Sequence, residues 1–125
     1  KKVASGGELS RIMLAIKAVL AQYQNLPTIV FDEIDTGVSG NISNEIALIM
    51  SGMAAHMQVM TITHLPQVAA KGTQQLKVYK QVEEGHTHTL IKSLTEEERV
   101  DEIAQMLSGD ELTQTARDHA VKLLN

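Results

Sequence analysis

The chain has 125 residues, a net charge of −4 and no cysteine. That is enough length for one core, with no basic footprint for nucleic acid or an anionic membrane and no disulfide or thiol chemistry, which suits a reducing cytoplasm. No stretch is long and apolar enough to span a bilayer and no signal peptide is visible, so the cytoplasm is the expected location.

With one Phe and two Tyr, the core has to come from Ile, Leu, Val, Met and Ala. Lys1-Lys2-Val3-Ala4 runs directly into a first motif, Ser5-Gly6-Gly7-Glu8, so the chain is expected to be part of a larger protein. Ser5 and Glu8 have capping-box spacing, and a helix start explains them without a ligand. Two successive glycines fit that explanation less well, because each costs backbone entropy and packs no side chain. They permit close approach of a phosphate to the N–H groups of a helix N-terminus, with the Ser5 hydroxyl as a further donor. From Gly7 to about Gln24, Leu9, Ile12, Met13, Ile16, Val19 and Leu20 form a helical stripe.

Pro27 closes the connection, and an apolar strand over 28–32 ends in the adjacent acids Asp32 and Glu33. At the carboxyl end of a parallel strand, this puts charge where α/β proteins bind ligands. Neighbouring side chains on a strand point different ways, so one acid can hold a magnesium ion while the other takes a proton from water. A solvated acidic turn is the alternative. The glycine-punctuated loop Asp35-Thr36-Gly37-Val38-Ser39-Gly40 follows. A helix from about Asn41 to Ala55 then carries Ile42, Ile46, Ile49 and Met53 on one face, and 58–63 reads as a second buried strand. Strand, helix, strand implies parallel neighbours. His64, in Thr63-His64-Leu65-Pro66, then emerges at the same sheet edge as Asp32 and Glu33, as a group for a phosphate or a polarised water or as an ordinary strand-end histidine.

Beyond Lys71, the segments 75–82 and 87–94 read as strands of a hairpin turning at Glu83-Glu84-Gly85-His86. Thr95 and Glu98 make a capping box ahead of Val100, Ile103, Ala104 and Leu107, and Ser108-Gly109 stops that helix. A last helix carries Leu112, Ala116, Ala120, Leu123 and Leu124. His86 and His88 share a strand face near Glu84 but read as solvated hairpin residues, since no further ligands converge. Glu96-Glu97-Glu98 suits a helix N-terminus. The methionines at 50, 53, 57 and 60 are expected as core filler; Lys1, Lys2 and Arg11 could touch phosphate or DNA but are expected as a solvated face.

Ser-Gly-Gly-Glu opening a helix, an apolar strand ending Asp-Glu, and a histidine closing the next strand resemble, in that order, the carboxyl-terminal half of an ABC-type ATPase head. Residues 5–8 look like its signature motif, 29–33 like Walker B and His64 like the switch histidine. In more detail, Val3-Ala4-Ser5-Gly6-Gly7-Glu8-Leu9-Ser10-Arg11, Phe31-Asp32-Glu33-Ile34-Asp35-Thr36-Gly37-Val38-Ser39-Gly40 and Ile62-Thr63-His64-Leu65-Pro66-Gln67-Val68-Ala69 are similar to the RecN family of bacterial DNA repair proteins. Those proteins are relatives of SMC and Rad50. The resemblance covers most of the chain, including its closing helix.

The resemblance implies an α/β P-loop NTPase fold of ABC/SMC type: a C-terminal half-head with a parallel βαβ core, a β-hairpin and two C-terminal helices, one unit over 1–125. It implies ATP and Mg2+ as cofactors of the full-length parent. Asp32 would hold the magnesium, mostly through water, and Glu33 would orient and deprotonate the attacking water. His64 would contact the γ-phosphate and sense its loss. Ser5, Gly6, Gly7 and Glu8 would cap the ATP held by a second head in a head-to-tail homodimer, so that hydrolysis weakens the interface. The other implied partners are the missing N-terminal half of the head, a coiled coil and DNA through the parent, with no membrane and a nucleoid-associated place in the cytoplasm.

Two departures stand out. Ala4 replaces the leucine usual at the front of the signature, and Ser39 lies where many ABC heads have a D-loop aspartate. No Gly-x-x-x-x-Gly-Lys-Ser/Thr occurs in the chain, so by itself it is expected neither to bind ATP tightly nor to hydrolyse it. The alternatives are the head of another SMC, Rad50 or transporter ATPase, and a non-catalytic docking module that kept the fold.

Overall fold

The computed structural model describes residues 6–32, 35, 37–38, 40–109 and 111–125, with the side chains of Glu8 and Ser10 outside that description. Contacts within the chain gather into two units, Lys1–Lys71 and Gly72–Asn125.

The first unit runs α1 (Gly6–Tyr23), β1 (Thr28–Asp32), α2 (Asn41–Ala54), β2 (Gln58–Ile62) and α3 (Pro66–Lys71). β1 and β2 pair in parallel, from Thr28 opposite Gln58 to Asp32 opposite Ile62, with α2 as the crossover that a parallel pair requires. Phe31, the one phenylalanine, is fully buried and packs with Ile46, Ala47, Met50 and Met53 of α2, Val38 and Val68. Burying one such side chain is worth about 1.5–3 kcal/mol. The six-residue α3 has no counterpart in the sequence reading, being too short to show a period; Pro66 opens it at the position where proline is tolerated.

The apolar surface is distributed in two ways that the residue pattern does not show. The α1 stripe Leu9, Ile12, Met13, Ile16, Val19 and Leu20 is exposed, each residue at 45–66%. It is Leu14 and Ala21 that enter the core, with Ala18 packed beside them. The helix is apolar on more than one face, and the face carrying the smaller side chains is the one that meets the core. Neither strand is buried on both faces. Ile29, Phe31 and Val59 point inward, whereas Val30, Met60 and Ile62 on the other face are exposed, so Met60 is not core filler while Met50 and Met53 are.

The second unit holds the hairpin β3 (Leu76–Glu83) and β4 (His86–Ser93), then α4 (Glu96–Ser108) and α5 (Gln114–Leu124). The antiparallel register runs from Leu76 opposite Ser93 to Glu83 opposite His86. The expected four-residue turn is thus a two-residue one, with Glu84 at φ 49° and Gly85 at φ 80°, both in the left-handed region that tight hairpin turns need. The Thr95–Glu98 capping box is formed in both directions and α4 ends at Gly109. Thr113 caps α5 by accepting from the Ala116 N–H at 3.2 Å, and Leu112 lies outside the helix. Ile103 and Ala104 of α4 and Ala116 and Ala120 of α5 are the buried apolar positions, with Arg117 bridging to Asp101 at 2.8 Å. Lys77 and Lys92 of the hairpin pair with Glu102 and Glu98.

Candidate functional site at the carboxyl edge of the parallel strands

The parallel register decides where the chemistry gathers. Asp32 is the last residue of β1 and lies opposite Ile62, the last of β2, so Thr63 and His64 leave the sheet at the same edge as Asp32. Both candidate side chains reach solvent: Asp32 is exposed and the His64 ring is 69% exposed. That edge is where a ligand meets an α/β sheet. Asp32 and the residues that follow Ile62 thus share one sheet edge.

The loop leaving β1 is tied back to this edge by a residue the sequence reading did not single out. Asp35 is 2% exposed. Its Oδ2 accepts a hydrogen bond from the Thr63 hydroxyl, and its Oδ1 lies 3.7 Å from His64 Nδ1. The Thr63 oxygen also accepts from the Leu65 N–H at 3.0 Å, which fixes the chain direction just after His64. The Asp35 carbonyl accepts from the Val38 N–H at 3.1 Å, closing a turn. Gly40, at φ 61°, begins α2, a conformation that favours glycine. Its carbonyl accepts from both the N–H and the hydroxyl of the buried Ser43, the hydroxyl at 2.5 Å. An aspartate in a turn is ordinary in sequence; only its burial marks Asp35 out.

Glu33 and Ser5 lie outside the described residues, as do Ile34, Thr36, Ser39 and the side chain of Glu8. Gly6 and Gly7 are the first residues of α1, so the glycine pair does open a helix. Among the described residues, no hydrogen bond or ion pair joins that helix start to the Asp32–His64 edge. Arg11 pairs with Glu45 at 3.3 Å, both exposed. His86 and His88 are exposed on β4, and no three His, Asp or Glu side chains among the described residues converge as a metal site. A single exposed carboxylate at a strand end nevertheless fits magnesium, which keeps several waters and takes one or two carboxylates beside substrate phosphates. No helix among the described residues is long and apolar enough to cross a membrane.

No family model matches the chain. It is 47% identical over 123 residues to the DNA repair protein RecN of Bacillus subtilis, 98% of this chain and 21% of that protein. It is 48% identical over 123 residues to RecN of Streptomyces coelicolor and 47% over 122 residues to RecN of Deinococcus radiodurans, again along 98% of this chain. The chain spans about a fifth of the length of these relatives. Among solved structures, it is similar to one described under ATP-driven dimerization and DNA-stimulated activation of SMC ATPases. That likeness has a TM-score of 0.67 at 19% identity and covers 86% of this chain and 65% of the other. The fold is thus that of the corresponding part of an SMC-type ATPase head, an α/β arrangement with a parallel pair, a hairpin and C-terminal helices.

Proposed function

We propose, from a chain that is a RecN-like segment along 98% of its length, that it forms the C-terminal portion of the ATPase head of a DNA double-strand break repair protein. In this reading, ATP hydrolysis is coupled to head pairing and to DNA. The observation that carries it is the register of β1 and β2, which brings Asp32 and His64 to one edge in the order the resemblance requires. Asp32, exposed at the strand end, holds Mg2+ mostly through water. Glu33, next in the chain, orients and deprotonates the attacking water. His64, exposed at the same edge as Asp32, bonds the terminal phosphate and registers its loss. The bound metal supplies charge neutralisation on the phosphates; the chain supplies position and a base.

Ser5, Gly6, Gly7 and Glu8 serve a different nucleotide, the one held by a second head in a head-to-tail pair. A helix N-terminus offered by a partner stabilises a phosphate only while the phosphate is there. The phosphate-cradling loop belongs to another part of the full-length protein, and this chain by itself is inactive. The apolar face of α1, running through Leu9, Ile12, Ile16 and Val19, supports a further part of the head as its cover. The protein works in the cytoplasm at the nucleoid.

The test is steady-state ATP hydrolysis by the full-length protein, wild type against Glu33→Gln, with and without DNA. Glu33→Gln is expected to lower turnover at least about 100-fold and to prolong the ATP-bound dimer. Turnover that needs Glu33 and rises with DNA supports a repair ATPase. Turnover that ignores DNA returns the reading to a transporter-type motor. Unchanged turnover in Glu33→Gln removes Glu33 as the base, and no turnover in either protein favours a docking module.

A further inference from the structure

We infer that Asp35 is a positioning residue for His64: its buried carboxylate bridges the Thr63 hydroxyl and the His64 ring and fixes which ring nitrogen faces the nucleotide. The inference rests on the ATPase reading above for its catalytic consequence, though not for its geometry.

Three observations converge on this carboxylate. Asp35 is 2% exposed although it belongs to a loop. Such burial of a charge is costly unless the charge is used. Its Oδ2 is occupied by the Thr63 hydroxyl, while its Oδ1 is buried and makes no hydrogen bond among the described residues. Among the described residues, the group that pairs with that unused oxygen is His64 Nδ1 at 3.7 Å, just beyond hydrogen-bond range. In unliganded sites such bonds are long and close up when substrate arrives.

An asparagine would serve the turn and accept from Thr63 equally well. What a carboxylate adds is an acceptor on both oxygens, and hence a demand for a proton on Nδ1. The partner of one ring nitrogen decides the state and the direction of the other. With Nδ1 turned to Asp35, Nε2 is the atom left for the phosphate side, on a ring that is 69% exposed. A phosphate oxygen arriving on that side meets Nε2, while Nδ1 is held on the Asp35 side. The same carboxylate ties the loop after Glu33 to the end of β2, so displacement of that loop would release the ring. Asp35 touches neither nucleotide nor metal in this account and acts through His64.

The test uses the full-length protein in Asp35→Asn, His64→Gln and the double variant. Asp35→Asn is expected to lower kcat for ATP about 10- to 100-fold, the usual worth of a group that orients a functional histidine, with KM for ATP unchanged. In the His64→Gln background it should lower kcat no further, because the two act as a unit. A loss of the same factor in both backgrounds, a change confined to KM, or an unchanged kcat overturns the inference. A second measurement needs no Asp35 variant. With 15N-labelled histidine, the His64 signal, identified by its loss in His64→Gln, should show a protonated Nδ1 in wild type. An Nδ1 without a proton overturns the inference even if ATP is hydrolysed. A protonated Nδ1 in a protein with no ATPase activity keeps the Asp35–His64 link and removes the ATPase reading instead.

Discussion

At the carboxyl edge of β1 and β2, exposure sorts the polar residues by task. Asp32 and His64 face solvent, where a ligand could reach them, while Asp35 and Ser43 are buried and hold the backbone around them. Ser43 satisfies the Gly40 carbonyl at the start of α2, a local duty. Asp35 spans two strand ends, and that reach is what makes it more than a turn residue. If Ser5 caps a partner's ATP, Ser5→Arg puts a bulky cation where a phosphate oxygen must come close. ATP-driven dimerisation, followed by light scattering or sedimentation, should be lost in the full-length protein. Nucleotide binding by a single head should then stay within about threefold of wild type, since the helix N-terminus would act on the other head's phosphate. A collapse of single-head affinity would reverse the assignment.

At the scale of elements, α4 is the one whose start is most fully specified. Thr95 accepts from the Glu98 N–H, Glu98 accepts from the Thr95 N–H at 3.0 Å, and Lys92 donates to the same Glu98 carboxylate from β4. Thr95→Ala should cost about 1 kcal/mol, the usual worth of a cap, read as a shift in denaturant midpoint. The ionic part depends on pH with a definite sign. The Lys92 ammonium, and after it the Thr95 N–H, holds the Glu98 carboxyl below its ordinary value near 4.5. Its stabilisation is present above that value and is lost as pH falls through the lowered one. Lys92 is raised above 10.5 by the same partner, so its share is present below that value and lost as pH rises through the raised one. The stability difference between wild type and Glu98→Gln should therefore be steady at neutral pH and vanish in acid. A difference that persists below the range where Glu98 is protonated would leave the ion pair without a role.

Such caps are also why this part was legible from sequence: Thr95, Glu98 and Gly109 are local signals, and the strand over 28–32 ends where its acids begin. What was not legible is what depends on neighbours. No residue pattern distinguishes the α1 face of Leu14 and Ala21 from the larger stripe beside it, and no motif marks Asp35 as buried. The six-residue α3 is shorter than the window in which a period can be read.

At the scale of the whole molecule, the exposed apolar surface is the feature the described chain does not account for internally. Leu9, Ile12, Met13, Ile16, Val19, Leu20 and Tyr23 follow one another at helical spacing down α1, with Ile16 at 48% and Val19 at 66% exposure. On the parallel pair, Val30, Met60 and Ile62 are likewise open, at 57%, 45% and 60%. Parallel sheets are ordinarily covered on both faces, and a contiguous apolar helix face is ordinarily an interface. The relatives are about five times as long as this segment, so the cover can be supplied within one protein.

In the full-length chain, Ile16→Glu should then lower stability by about 2–3 kcal/mol, the scale of burying one large aliphatic side chain. Gln22→Glu, at an exposed polar position on the same helix, should change it by less than about 0.5 kcal/mol. Denaturant unfolding followed by hydrogen exchange of α1 would read both. Equal, small effects of the two substitutions would mean that the stripe faces water in the complete protein as well. A loss confined to Ile16→Glu would identify α1 as a buried seam of the complete protein, and the glycine pair at its N-terminus would then be set on a helix held rigidly along its length.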